Sequence, residues 1–383
     1  MSSENNKLGP PAGLPGSPSG SSLGSPAGLP ESPSGSSLGS PAGLPGRSQR
    51  SSGDGAPSLL IVKLSSLGDL FHALPAVHNL KEGLGATVDW VVQREYSGMV
   101  ACFDDVRRVI PFDRRGRDRR PGAFLKALRA ERYDMVIDMQ GLLKSALITR
   151  LARASRRLGP SFHREGSRLF YHAVAGRCDK ARHAVEENLD PVRHLGLEAM
   201  PPAFPVTFPP RELPGSGPRV AVVPSSRWVT KDWTPAGFAA AARRLHEERG
   251  ATVYLMGGPG DVARCADIER MMGGDVVNLA GKTSLVEMGS TLAAMDLLVA
   301  NDSGPVHMAA AVGTPSLVLF GPTSPARTGP YGEAHRVVQS APLDCRPCFM
   351  RACAPQHHRC MRDITADQVS QVALEMLDRT QAR

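Results

Sequence analysis

The chain has 383 residues, 41% of them hydrophobic, with 39 Gly, 33 Pro, 7 Cys and a formal net charge of +8. No apolar run reaches the ~18 residues of a membrane-crossing helix, and the opening MSSENNKLGP lacks the apolar segment of a secretory signal. A cytoplasmic protein with reduced cysteines is expected, and the excess of 45 Lys+Arg over 37 Asp+Glu favours anionic partners.

Residues 1–56 are low in complexity. SPSGSSLGSPAGLP occupies 17–30 and recurs at 32–45, a period of 15. So few large apolar side chains cannot offset the entropy of ordering, so this segment reads as a disordered tail. From residue 58 the texture changes. SLLIVKL reads as a buried strand, SSLGD as a turn, and LFHALPAVHNLKEGLG as a helix ended by glycine. TVDWVV, VRRVIPF and YDMVIDMQG follow as strands, with helices expected over 94–103, 121–131 and 142–153. The proline-dense segment 201–218 reads as a linker. Beyond it the alternation restarts: strands RVAVVPSS, TVYLMGG, VVNLAG, LLVANDSG and PSLVLFGP, with helices over 234–249, 261–272, 284–295 and 304–312.

Strands alternating with helices imply parallel sheets. The expected organisation is a tail (1–56), an α/β domain (57–200), a linker (201–218), a second α/β domain (219–345), and a Cys-rich loop with a C-terminal helix (346–383). In such sheets ligands bind beyond the carboxyl ends of the strands, so those loops are the places to look for chemistry.

In KLSSLGD, a glycine and two serines let the backbone approach a ligand, and Asp69 opens a helix in the N-cap region, where a capping role is favoured. In SSRWVTKDW, Ser225, Ser226 and Lys231 suit phosphate oxygens, or simply lead into a surface helix. NDSGPVH places Asp302, Ser303, Gly304 and His307 at a helix start, an anion site or a plain cap. GGPGD, with Asp261, is a fourth glycine-rich loop. Neither the dinucleotide fingerprint nor the P-loop pattern occurs. Residues 113–120, DRRGRDRR, hold five arginines in eight positions, either a solvated loop or a cluster facing an acidic ligand. Lys144 is a further basic candidate after a strand. Cys345, Cys348, Cys353 and Cys360, with His357 and His358 nearby, begin with a metal-ligand spacing and then depart from it. They fit a structural zinc site or a reduced thiol-rich loop.

Four segments, IVKLSSLGDLFHALPAV, DMQGLLKSAL, SSRWVTKDW and ANDSGPVHMAAAVGTPSLVLFGPTSP, together resemble glycosyltransferase family 9, in particular the lipopolysaccharide heptosyltransferases. The SSLGD form is closer to the heptosyltransferase I branch. The resemblance implies a GT-B fold, two Rossmann-like domains facing a cleft. It implies inverting transfer of heptose from ADP-heptose, without a catalytic metal or other cofactor, to a Kdo sugar of lipid A. Asp69 falls on the family's general base. Ser225, Ser226, Lys231, Asp261, Asp302, Ser303, Gly304 and His307 fall on donor-binding positions. An anionic glycolipid acceptor suits Arg117, Arg120 and Lys144, with peripheral contact at the inner face of the inner membrane. Another nucleotide-sugar or acceptor, or binding without turnover, stays open. A nucleic-acid partner is disfavoured, because no aromatic platform accompanies the arginine run.

Overall fold

The computed structural model describes residues 55–113, 121–354 and 356–381. Short apolar runs such as LLIV and VAVV become strands buried on both faces, as parallel sheets require. Six strands make the first sheet: β1 (Ser58–Val62), β2 (Thr87–Gln93), β3 (Arg108–Phe112), β4 (Tyr133–Asp138), β5 (Ala154–Pro160) and β6 (Ala173–Ala175). Their order is β3-β2-β1-β4-β5-β6. The second sheet holds β7 (Arg219–Val223), β8 (Thr252–Leu255), β9 (Val276–Asn278), β10 (Leu297–Asn301), β11 (Ser316–Leu319) and β12 (Arg336–Val338), in the order β12-β11-β10-β7-β8-β9. Counted within each half, both sheets run 3-2-1-4-5-6, and every named strand pair is parallel. The chain is thus two Rossmann-like halves, each with its switch point between its first and fourth strands.

Three strands carry no clear signature in the sequence. β5 (ASRRLGP) carries two arginines and no apolar run, and β6 and β12 are three-residue edge strands. The helix expected over 94–103 shrinks to a 3-10 turn, Arg94–Tyr96, and one helical turn, Ser97–Val100. Its continuation is diverted. Cys102 O accepts from Thr207 N at 3.0 Å, and Asp104 N donates to Pro205 O at 3.0 Å, so the backbone there pairs with the linker instead.

That linker is itself packed. Phe208 is buried against Gly289, where an added Cβ would lie 2.5 Å from its ring. The segment after 346 is also no appendage: Met361, Ile364, Val369, Ala373 and Leu377 share one core with Val220, Val253 and Leu317 of the second sheet.

Another apolar cluster runs without interruption from Leu59 and Ile61 of β1, through Phe71 and Leu74, to Val306, Met308 and Phe320 in the second half. The join is made by two helices, Leu67–Leu84 and Gly304–Ala311, whose first turns touch. Glycine is required on each side. A Cβ on Gly68 would lie 2.4 Å from the His307 ring, and one on Gly304 would lie 2.9 Å from Leu67. Gly68→Ala is therefore expected to destabilise the fold by about 1–3 kcal/mol through overpacking, seen as a lower Tm in thermal denaturation. An unchanged Tm would show that the helices can separate freely.

Candidate active site

The C-terminal ends of β1, β7 and β10 all empty into one cleft of about 600 Å³. Its walls carry Asp69, Ser225, Ser226, Lys231, Asp261, Asp302, Ser303, Gly304 and His307, so the structure brings these nine sequence-selected residues together. Lys144, half-buried in the first turn of the helix Leu143–Leu151, does not line the cleft. Arg117 and Arg120 lie outside the described residues.

Each loop is shaped by its own aspartate. Ser66 caps the helix Leu67–Leu84, and both its backbone N–H (2.8 Å) and its hydroxyl (2.7 Å) donate to Asp69 Oδ2. Asp69 thus does cap, but with one oxygen. Among the described residues, no hydrogen bond engages Oδ1. The β4 end supports this loop from beneath. Gln140 Oε1 accepts from Leu64 N and Ser65 N, each at 3.0 Å, and the buried Lys63 ammonium donates to Met139 O at 2.7 Å. Burial lowers the Lys63 pKa. It raises that of Asp138, which accepts from Gln140 N, Gly141 N and the Tyr171 hydroxyl.

On the facing wall, Lys231 Nζ donates to Asp302 Oδ2 at 2.7 Å, and Thr323 Oγ1 donates to the same oxygen at 2.6 Å. Lys231 also lies 4.8 Å from the Trp228 ring centre, and the Arg351 guanidinium lies 5.1 Å from it. Asn301 ties the loops together, donating to Pro224 O at 2.7 Å and accepting from Trp233 N at 3.1 Å. Asp232 Oδ1 accepts from Ser226 N, and Asp261 Oδ2 from Gly258 N, both at 2.8 Å. Among the described residues, the buried hydroxyl of Ser303, the N-cap of Gly304–Ala311, has no hydrogen-bond partner. A helix N-terminus beside a lysine is a receptive place for an anion.

The floor between the halves is histidine. His72, one turn after Asp69, and His307 meet Nε2 to Nδ1 at 3.0 Å. His183 stands edge-on to His72, with ring centres 5.6 Å apart, and its Nε2–H donates to Gly329 O at 3.0 Å. Burial, above all, depresses both central rings: His307 falls to about 4, and His72 lies well below its usual range, pushed further by His307, His183 and Lys63. A neutral pair is required, one ring donating and the other accepting.

Sequence reasoning passed over His72, Trp228 and Arg351. For His72 the i, i+3 spacing from Asp69 was an available signal. Arg351 had none, because its contact with Trp228 bridges distant segments.

Cys345, Cys348, Cys353 and Cys360, with His357 and His358, do line a common cavity of about 230 Å³. Burial raises the Cys360 pKa, and the other three thiols raise it further. Their ligand atoms are not drawn into a compact set, however. Among the described residues, the group with three such atoms mutually within 4.8 Å is His78, Glu82 and Asp105. There Asp105 already accepts from Lys81 at 2.6 Å and contacts His78 at 2.8 Å, so the group reads as an ion-pair network.

The sequence profile of glycosyltransferase family 9 (heptosyltransferase) matches residues 122–358. The chain belongs to this family. It is 34% identical over 323 residues to lipopolysaccharide heptosyltransferase 1 of Pseudomonas aeruginosa, covering 78% of this chain and 88% of that protein. The structure of E. coli heptosyltransferase WaaC with ADP superposes with a TM-score of 0.71 at 28% identity, over 83% of this chain and 99% of that one. WaaC with ADP-2-deoxy-2-fluoro heptose superposes with a TM-score of 0.67 at 28% identity and the same coverage. The fold is therefore GT-B, and this family 9 member is a glycosyltransferase of the heptosyltransferase type. Among its described residues, no helix is long and apolar enough to cross a membrane.

The histidine pair makes a pH prediction. With folded-state pKa values below the unfolded value near 6.5, the unfolded chain binds more protons as pH falls, so stability is lost between about 6.5 and 4. Thermal denaturation across that range should show a falling Tm, and in His72→Gln/His307→Gln the part of the fall due to these rings should vanish.

Proposed function

We propose that the enzyme transfers heptose from ADP-heptose to a Kdo sugar of the lipid A inner core with inversion at the anomeric carbon, Asp69 acting as general base. The observation that carries this reading is the pairing across one cleft: a carboxylate with a free oxygen on one wall, and Lys231 beside a helix N-terminus on the other. The names of its relatives, a lipopolysaccharide heptosyltransferase 1 and a heptosyltransferase bound to ADP and to a fluorinated ADP-heptose, support the donor and the glycan class.

In this mechanism Asp69 Oδ1 accepts the proton of the acceptor hydroxyl as its oxygen bonds to the anomeric carbon. The bond from that carbon to the β-phosphate oxygen breaks, and its electron pair leaves with ADP. Attack and departure on opposite faces of the sugar invert the centre. Lys231, released from sole service to Asp302, meets the growing charge on the diphosphate together with the N–H groups that open Gly304–Ala311. Ser225 and Ser303 offer hydroxyls to the phosphates, Ser226 shapes the donor loop by donating its hydroxyl to Trp228 O at 2.7 Å, and Asp261, Asp302 and the neutral His307 complete the donor wall. Such charge stabilisation serves the role a metal ion plays in other transferases. Arg117, Arg120 and Lys144 are proposed to meet the acidic acceptor.

The test is transfer from ADP-heptose to a Kdo-bearing lipid A acceptor, read by mass spectrometry. Wild type should add one heptose. Asp69→Asn should lose about 10²–10⁴ in kcat while ADP affinity, measured by calorimetry, is kept. Lys231→Ala should weaken ADP binding at least tenfold. No heptose gain by wild type would refute the donor and acceptor assignment, and equal rates for Asp69→Asn would return Asp69 to a purely capping role.

A further inference from the structure

The cleft walls carry three permanent cations, Arg227, Lys231 and Arg351. Lys231 is answered at rest by Asp302 Oδ2 at 2.7 Å, and Arg227 donates to the Tyr96 hydroxyl. Arg351 has no tie of either kind. Among the described residues, no hydrogen bond or ion pair engages its guanidinium, which lies over the Trp228 ring, 5.1 Å from the ring centre. An indole face attracts a cation and leaves its N–H donors available to a second partner. The acids of the cleft are engaged elsewhere. Asp69 and Asp261 each hold a backbone N–H of their own loop, and Asp302 holds Lys231.

Arg351 comes from far along the chain, and the fold fixes the two residues before it. Thr230, buried in the turn Val229–Lys231, donates its hydroxyl to Met350 O at 2.8 Å. Phe349 N donates to Pro322 O at 2.9 Å. The segment is thus pinned to the loops that follow β7 and β11. Thr230 and Met350 also line the cavity of the four thiols. The Cys-rich loop therefore shares a wall with the cleft and delivers a guanidinium to its edge.

We propose that Arg351 is a second cationic ligand of the donor's diphosphate, with Trp228 as the residue that positions it. This rests on the reading of the cleft as a nucleotide-sugar site. The planar fork of Arg351 can meet two phosphate oxygens at once, whereas Lys231 offers a point charge. The diphosphate gains negative charge as the bond to the sugar breaks. Lys231 is shared with Asp302 at that moment, so an unshared guanidinium supplies the balance. The Trp228 ring, 4.8 Å from the Lys231 ammonium, holds both cations on one side of the ligand.

The test is calorimetric titration of the full chain with ADP, adenosine, UDP and uridine, without sugar or acceptor. Arg351→Ala should weaken ADP binding by about 10- to 100-fold and leave adenosine binding unchanged. Arg351→Lys should restore part of the loss. Trp228→Phe should keep the preference for ADP over adenosine, and Trp228→Leu should lose part of it. Both Arg351 variants should keep the wild-type Tm, because the side chain is exposed. Wild-type affinity for ADP in Arg351→Ala would overturn the proposal. So would equal losses for ADP and adenosine, which would make Trp228 a platform for the base. A wild type that prefers UDP, with the same dependence on Arg351, would uphold the proposal and refute the ADP donor alone. Binding of neither diphosphate would refute both.

Discussion

The architecture depends on the close approach of two helix starts, one from each sheet. Each strand-end loop could be built within its own half, but a cleft with a reactive carboxylate opposite an anion site needs the halves fixed to within an ångström or so. Gly68 and Gly304 remove the side chains that would hold the helices apart, and the His72–His307 contact fills what remains. The histidines do so as uncharged polar groups, which burial enforces. Because one apolar cluster continues from the first half into the second, the helix contact is the middle of a shared core rather than a hinge lying between two independent ones.

Around that fixed floor the loops are ordered by carboxylates. Asp69, Asp138, Asp232 and Asp261 each accept from backbone N–H groups in their own strand-end loops. Side chains of this kind replace the ladder bonds that the backbone loses where a strand stops. The site is thus rigid by local means. Asp302 differs, because its partners, Lys231 and Thr323, come from other loops, so it couples the walls instead of shaping one.

Much of this was legible in the sequence because the chemistry sits where strand, loop and helix follow one another directly. SSLGD, SSRWVTK and NDSGPVH announce themselves by small and polar residues between apolar runs, and all three reach the cleft. Illegible features share one cause: they depend on contacts between distant segments. The Trp228–Arg351 stacking joins residues on separate elements. The shortening of the helix after Arg94 comes from the pairing of 102–104 with 205–207. β5 is a strand because β4 and β6 flank it, not because of its own composition. In the four thiols, the sequence suggested a ligand set, and the fold supplies a shared cavity without its compactness.

The helix Ala366–Gln381 packs on Pro235–Arg249 and fills the core of the second sheet. This imposes an order on synthesis. All strands of the first sheet are made early and can pair while the ribosome is still translating. The second sheet must wait, with the part of its apolar face over β10, β11 and β12 uncovered, until Ala366–Gln381 has emerged. During that interval Leu297, Val299 and Leu317 are the surface most in need of shelter, and a chaperone acting on the nascent chain would find its target there.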